Sequence, residues 1–458
     1  MVLSSAGFFV FLAVIYLVYW LVSRYRMAGL AVILFANYFF YARWDLAYLL
    51  IIPVASSCDY LLGHLMGAWK SPLARRVLVG VSIVMNLWLI VSVKYLPFFL
   101  GANPKWAFTL PLGLSFYAFQ AMTYTIDIYR RDAKPAASYL AYMASVSFFP
   151  TTLAGPITRV STLVPQMLKG AALDPKEGGR AFFLIGMGLM KKLLIADYLA
   201  ENLVNRVFDL PKLYSSGEVL VASYGYAFQL YYDFSGYTDI AIGSALLLGL
   251  KLPKNFDRPY TADNISDFWR KWHISFSNWL RDYLYFSLPG ARSKWMPYLN
   301  LIVTMVLGGL WHGANWTFVI WGLLHGVAQA VFRGFRALRG NAKPSQNVLA
   351  RVLRIGVTFH FVVLTWIFFR AADLKTARDI LAELGLGTFT FANVTPAFAA
   401  VLGIAALAHF WPKRWYEQAQ NLFCESPFFV QAGAMAALVL AIQYVGASGV
   451  APFIYTKF

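Results

Sequence analysis

An all-α, polytopic membrane protein is predicted from three features of the 458-residue sequence: its composition, its series of apolar runs, and the placement of its bases. Hydrophobic residues make up 59% and charged residues only 13%, whereas a soluble domain carries about 25% charged residues. A chain this poor in charge cannot cover a water-facing surface of ordinary size. The 15 Trp and 27 Tyr suit the interfacial belts of a bilayer, where amphipathic rings sit at headgroup level. Disordered, collagenous and coiled-coil chains and small secreted scaffolds are excluded on the same grounds. The formal charge of +18 comes from bases clustered between apolar runs. There they set topology and meet anionic headgroups, so no nucleic acid partner is expected. Cys58 and Cys424 form neither a disulfide framework nor a metal-ligand spacing.

The first apolar run, Ala6 to Val22, is followed rather than preceded by cations, Arg24 and Arg26. That is the reverse of a cleavable signal peptide, so the run is expected to stay in the mature protein. A helix needs about 20 apolar residues to cross a bilayer. Further runs lie near 29–42, 46–66, 77–96, 110–127, 181–200 and 219–250, then 298–332 as two spans or one broken one, 350–369, 396–411 and 428–447. Eleven or twelve crossings follow, with re-entrant or tilted pieces where runs are short. The first, third and fifth loops hold Arg24, Arg26, Lys70, Arg75, Arg76, Arg130, Arg131 and Lys134, against Arg43, Lys94 and Lys105 in the second and fourth. This bias puts the odd loops in the cytoplasm and the N-terminus outside. The basic stretch 333–354 also belongs inside. No interval between runs is long and polar enough for a soluble domain, and no internal repeat is visible.

Two regions do not look like lipid-facing helix. In 263–290, DNISDFWRKWHISFSNWLRDYLYFSLPG, the large apolar residues recur at helical spacing on one face, with Arg270, Ser277 and Arg281 opposite. A single amphipathic helix lying in the interface or re-entering is expected, with Asp267 paired to Arg270 or Lys271. His273 falls at the edge of the apolar face, where it serves either as an interfacial anchor or as a functional group. In 299–332 an almost uncharged run is interrupted by GGLWHGANW and followed by WGLLHG. His312, between glycines and beside Trp311 and Trp316, is at membrane depth. It is either a functional group or a packing histidine bonded to a neighbouring helix. His325, 13 residues on, would lie about 20 Å along a continuous helix and is expected to pack. Asp59, Asp127, Asp233 and Asp239 also fall in or at the ends of apolar runs; a buried carboxylate there must be paired or protonated, and structural bonding is expected for each.

Several stretches together carry a resemblance: SFYAFQAMTYTIDIYRR, SFFPTTLAGPITR, QLYYDFSGYTDIAIGSALLLGL, NFDRPYTADNISDFWRKWHISFSNWLRDYLY, GGLWHGANWTFVIWGLLHG and TWIFFRA, with an aromatic tail at Phe453, Tyr455 and Phe458. They run in order from about residue 115 to the end. The chain resembles the membrane-bound O-acyltransferase family, in the bacterial branch typified by the alginate O-acetylation membrane protein. The resemblance implies one integral acyltransferase domain over 1–458, with peripheral spans in 1–110, a core with re-entrant segments in 111–332 and C-terminal spans in 333–458. It implies a catalytic His312, in the family's WHG motif, and a second site residue at His273, 39 residues upstream. It further implies an acetyl group taken from cytoplasmic acetyl-CoA, no bound cofactor or metal, and delivery toward the outer face of a bacterial inner membrane. The acceptor would be a polysaccharide, with a separate extracytoplasmic acetyltransferase as partner.

The chemistry suits the residues. A thioester is already activated, so the acceptor hydroxyl needs mainly a base, and a neutral histidine near pH 7 supplies one worth about 10² to 10⁴ in rate. His312 is assigned as that base, with His273 orienting substrate or stabilising charge on the thioester oxygen. Trp269, Trp272 and Trp311 are candidates for lining a passage that excludes water. Lys251, Lys254 and Arg258 could attract coenzyme A phosphates, although topology alone accounts for them. A D-alanyl transferase for teichoic acid and a peptidoglycan O-acetylation protein are the alternatives within the family. A transporter, which would show repeats and charge-lined discontinuous helices, is the alternative outside it.

Overall fold

The computed structural model describes residues 2–95, 113–152, 155–170, 175–290, 293–340, 345 and 347–445. Lys105, the start of the 110–127 run, part of the 333–354 stretch and the tail at Phe453, Tyr455 and Phe458 lie outside the described residues. All regular structure among the described residues is helical. The longer helices are α1 (Ala6–Val22), α2 (Arg26–Ala42), α3 (Tyr48–Ala68), α4 (Pro72–Ile90), α5 (Leu114–Arg130), α6 (Tyr139–Val146), α7 (Val160–Lys169), α8 (Pro175–Leu189) and α9 (Ser216–Leu247). There follow α10 (Ile265–Lys271), α11 (Ile274–Trp279), α12 (Met296–His312), α13 (Trp316–Arg339), α14 (Val348–Arg370), α15 (Leu374–Gly385), α16 (Pro396–Phe410), α17 (Lys413–Glu425) and α18 (Phe428–Val445). Among the described residues, α3, α4, α13 and α14 are long and apolar enough to cross a membrane, and α1, α2, α16 and most of α18 are shorter apolar helices.

The chain divides into two compact units. The first comprises Met1–Gly186, Tyr237–Pro253 and Phe423–Glu425. Its interior joins helices through buried polar groups, as expected where hydrocarbon offers no hydrogen bonds. Asp59 on α3 accepts hydrogen bonds from Ser82 Oγ (2.6 Å) and Asn86 Nδ2 (2.8 Å) on α4. Asn37 on α2 donates to Ala144 O (3.0 Å) and accepts from the backbone N–H of Phe149 (2.9 Å). Arg75, expected among the cytoplasmic loop cations, instead lies inside α4 and is buried. Its guanidinium donates to the carbonyls of Met66, Ile128 and Tyr129, at the C-terminal ends of α3 and α5. Free carbonyls and the negative dipole end make that a favourable seat for a cation.

The second unit comprises Met187–Gly236, Lys254–Leu422 and Ser426–Phe458. The run expected as a span at 181–200 is not a uniform helix: it passes from α8 into π-helical turns at Met190–Ala196 and Ala200–Val204. The widened turns carry Lys192 into a buried ion cluster, 2.7 Å from both Asp197 and Asp233. Desolvated charges survive only when paired in this way, and Asp233 is thereby accounted for structurally. Asp127, in the first unit, likewise accepts from Ser161 Oγ (3.2 Å).

Candidate active site

The 263–290 region departs from the single amphipathic helix expected of it. The helix breaks after Lys271: Trp272 is extended and His273 adopts a left-handed conformation at φ 42°, before α11 resumes at Ile274. After Trp279 the chain continues as a π-helical turn, Leu280–Leu284. The reason is Asn255, which lies well outside the periodic segment. Its carbonyl accepts from Ile274 N–H (2.8 Å), and its side-chain Oδ1 accepts from Ser275 N–H (3.1 Å) and Ser275 Oγ (2.9 Å). These bonds satisfy the first turn of α11 and hold a backbone conformation that a non-glycine residue rarely adopts. The position of His273 is corrected accordingly. It does not sit at an oil–water edge but is buried, 1% exposed. Asp267 pairs with both Arg270 (3.1 Å) and Lys271 (2.8 Å).

Asn255 also sets the tautomer of His273. The backbone N–H of Ser275 can only donate, so the atom it meets is the amide oxygen. His273 Nδ1, 3.1 Å from that same oxygen, is therefore the protonated nitrogen. In the neutral ring Nε2 then carries the lone pair.

His312 is the last residue of α12. The chain extends through Gly313 and restarts at α13, whose first turn is capped by Asn315 Oδ1 accepting from Thr317 N–H (3.0 Å). Asn315 Nδ2 donates to Ala372 O (2.7 Å), which ties this corner to the end of α14. The two helices approach closely because Gly309 and Gly322 have no side chain: a Cβ on Gly309 would collide with the carbonyl oxygen of Phe318, and one on Gly322 with that of Met305. Small residues at a helix crossing permit this approach.

His312 is 3% exposed and ringed by aromatic groups. Its ring centroid lies 4.9 Å from Trp311, 5.3 Å from Trp321, 4.9 Å from Phe369 and 5.7 Å from Phe276. His273 meets two of the same neighbours, Phe276 at 5.0 Å and Trp311 at 6.4 Å, and packs edge-on against Phe234 at 4.7 Å. The two histidines, distant in sequence, thus share Phe276 and Trp311 in one buried aromatic chamber.

The three candidate tryptophans separate. Trp311 touches both histidines. Trp269 is one ring removed, contacting Trp321 at 5.7 Å. Trp272 packs away from His312, among Phe256, Tyr260 and Trp366. His325 packs, as expected: Nδ1 accepts from Trp269 Nε1 (3.2 Å), and Nε2 lies 2.9 Å from Thr365 Oγ1, which itself donates to Val362 O. Both of its nitrogens have protein partners. Of the bases considered for phosphate attraction, Lys251 pairs with Glu177 (2.9 Å), Lys254 with Asp257 (3.0 Å), and Arg258 donates to Trp411 O (2.9 Å). Two neighbours of this site, Asn255 and Trp321, were not singled out from the sequence. NFDRPY contains Asn255 but carries no periodic signal, and Trp321 reads as an ordinary apolar helix residue.

The family model for MBOAT, membrane-bound O-acyltransferase family, matches residues 129–369, which include both histidines. The chain is 38% identical to the probable alginate O-acetylase AlgI of Azotobacter vinelandii, over 89% of this chain and 83% of that protein. It is 38% identical to the probable alginate O-acetylase AlgI of Pseudomonas aeruginosa, over 91% of this chain and 83% of that protein. It is 35% identical to the peptidoglycan O-acetyltransferase of Helicobacter pylori, over 81% of this chain and 77% of that protein. With an all-α membrane fold and an aromatic chamber enclosing His312 and His273, this chain is an O-acyltransferase belonging to the membrane-bound O-acyltransferase family.

Proposed function

We propose that this enzyme takes an acetyl group from cytoplasmic acetyl-CoA and passes it toward the outer face of a bacterial inner membrane. There it serves O-acetylation of an extracytoplasmic polysaccharide such as alginate, completed by a partner acetyltransferase. The observation that carries the reading is the pairing of His312 and His273 around Phe276 and Trp311, buried together at a helix break. In it, His312 is the general base that takes the proton of the attacking hydroxyl. His273, with its proton held on Nδ1 by Asn255, presents a lone pair at Nε2 and orients that hydroxyl. Trp311 lines the passage and keeps water from the thioester, with Trp269 and Trp272 supporting its walls; a dry site also strengthens each electrostatic interaction within it. The names borne by its relatives, alginate O-acetylase and peptidoglycan O-acetyltransferase, support an acetyl cargo and a glycan acceptor.

The test supplies the reconstituted protein with labelled acetyl-CoA, a candidate extracytoplasmic partner, and either alginate or peptidoglycan fragments. Label reaches one glycan with the wild type and falls by at least about 10²-fold with His312→Ala, while thermal unfolding of the two is similar. Equal transfer by both proteins would remove the assigned base.

A further inference from the structure

Trp321, on α13, stands in the wall of the chamber. It is 1% exposed. Its ring lies 5.3 Å from His312 at an interplanar angle of 87°, stacks on Trp366 at 5.8 Å and 17°, and meets Phe369 at 5.2 Å. Its Nε1–H has no hydrogen-bond acceptor among the described residues. The neighbouring Trp269 differs, with its indole N–H donated to His325. A buried donor without an acceptor is costly to keep, so such an indole in ring contact with the candidate base calls for a function. An indole N–H only donates. Whatever meets it must therefore be an acceptor, and a thioester carbonyl oxygen is the acceptor that the reaction brings next to His312. His273 is less suited to that task, since Asn255 leaves its Nε2 as an acceptor.

We propose that Trp321 Nε1–H is the hydrogen-bond donor that binds the acyl carbonyl oxygen of the donor thioester and stabilises the oxyanion formed on it. This rests on His312 acting as base. The acceptor hydroxyl oxygen forms a bond to the carbonyl carbon as His312 takes its proton, and the C=O pair moves onto the oxygen held by Trp321. Collapse re-forms C=O, breaks C–S, and the leaving thiolate recovers the proton from His312. Trp321 neither gains nor loses a proton.

The experiment compares the full-length wild type, Trp321→Phe, Trp366→Phe and His312→Gln in lipid nanodiscs. Transfer from acetyl-CoA is followed kinetically, and the carbonyl stretch of [1-¹³C]acetyl-CoA is recorded on the His312→Gln background. Phenylalanine keeps an aromatic ring at this position and deletes the donor together with part of the indole's volume, a loss of volume that Trp366→Phe reproduces one ring away from His312. Trp366 stacks on the face of Trp321 and stands one ring further from His312. The expected result is a kcat lower by about 10²-fold for Trp321→Phe, with KM for acetyl-CoA within about twofold, and little change for Trp366→Phe. The bound carbonyl should vibrate at lower frequency with Trp321 present than with Phe in its place. Equal losses in the two tryptophan variants, or a carbonyl frequency indifferent to residue 321, would overturn the assignment. An active His312→Gln would remove the underlying mechanism, whereas an inactive one beside a fully active Trp321→Phe removes the role of the indole alone.

Discussion

Asn255 gathers three donors on one oxygen, from His273 Nδ1, Ser275 N–H and Ser275 Oγ. Its effect on chemistry is indirect. It fixes which nitrogen of His273 holds the proton and which way the ring points, and a histidine's usefulness as acceptor or donor turns on that choice. Asn255→Ala should lower acetyl transfer by about 10- to 100-fold, the usual consequence of losing an outer partner that orients a functional histidine. It should also lower thermal stability, because two α11 donors lose their partner. Transfer rates and thermal unfolding of detergent-solubilised protein measure both. A full rate with Asn255→Ala would show that the His273 tautomer is immaterial. No periodicity in the sequence marks Asn255, since its contacts lie 18 to 20 residues further on.

The helical hairpin formed by α12 and α13 is where local sequence and three-dimensional arrangement agree best. GGLWHGANW shows a break in an apolar run, and the structure puts one there, with Asn315 as the new cap. Gly309 and Gly322 let the two helix backbones approach closely. Gly309→Ala should therefore push the two helices apart at the Phe318 carbonyl, destabilising the protein by about 1 to 3 kcal/mol and lowering activity by displacing His312. Gly334→Ala is the comparison, because a Cβ there meets only the Tyr298 ring at 3.7 Å, an ordinary contact. Unfolding temperatures of the two variants should differ clearly; matched values would mean that the crossing has slack. The 263–290 segment is the opposite case. Its apolar spacing suggested one helix, but helical periodicity records which side chains avoid water and is blind to a backbone break supported from elsewhere. The break is what buries His273.

Across the whole chain, the orientation we propose from the distribution of bases over successive loops, with the N-terminus outside, is open to a direct test. A cysteine introduced at Lys70 should react with an impermeant reagent only after the membrane is opened, and one at Arg43 should react in intact cells. The reverse pattern would invert the proposed topology and contradict the proposed cytoplasmic donor. Arg75, counted among the loop bases, turns out to be an interior residue bound to helix-end carbonyls, yet the bias persists without it.

Composition and apolar run length were enough to establish a helical membrane protein, because a bilayer leaves the backbone few other ways to satisfy its hydrogen bonds. Ordered motifs likewise pointed to His312 and His273. Their meeting around Phe276 and Trp311, the proton placed on His273 Nδ1 by Asn255, and the contact of the Trp321 indole with His312 came from packing between segments far apart in the chain. Such contacts depend on where the helices cross and break, and those positions arise from many small steric fits that leave no regular spacing behind.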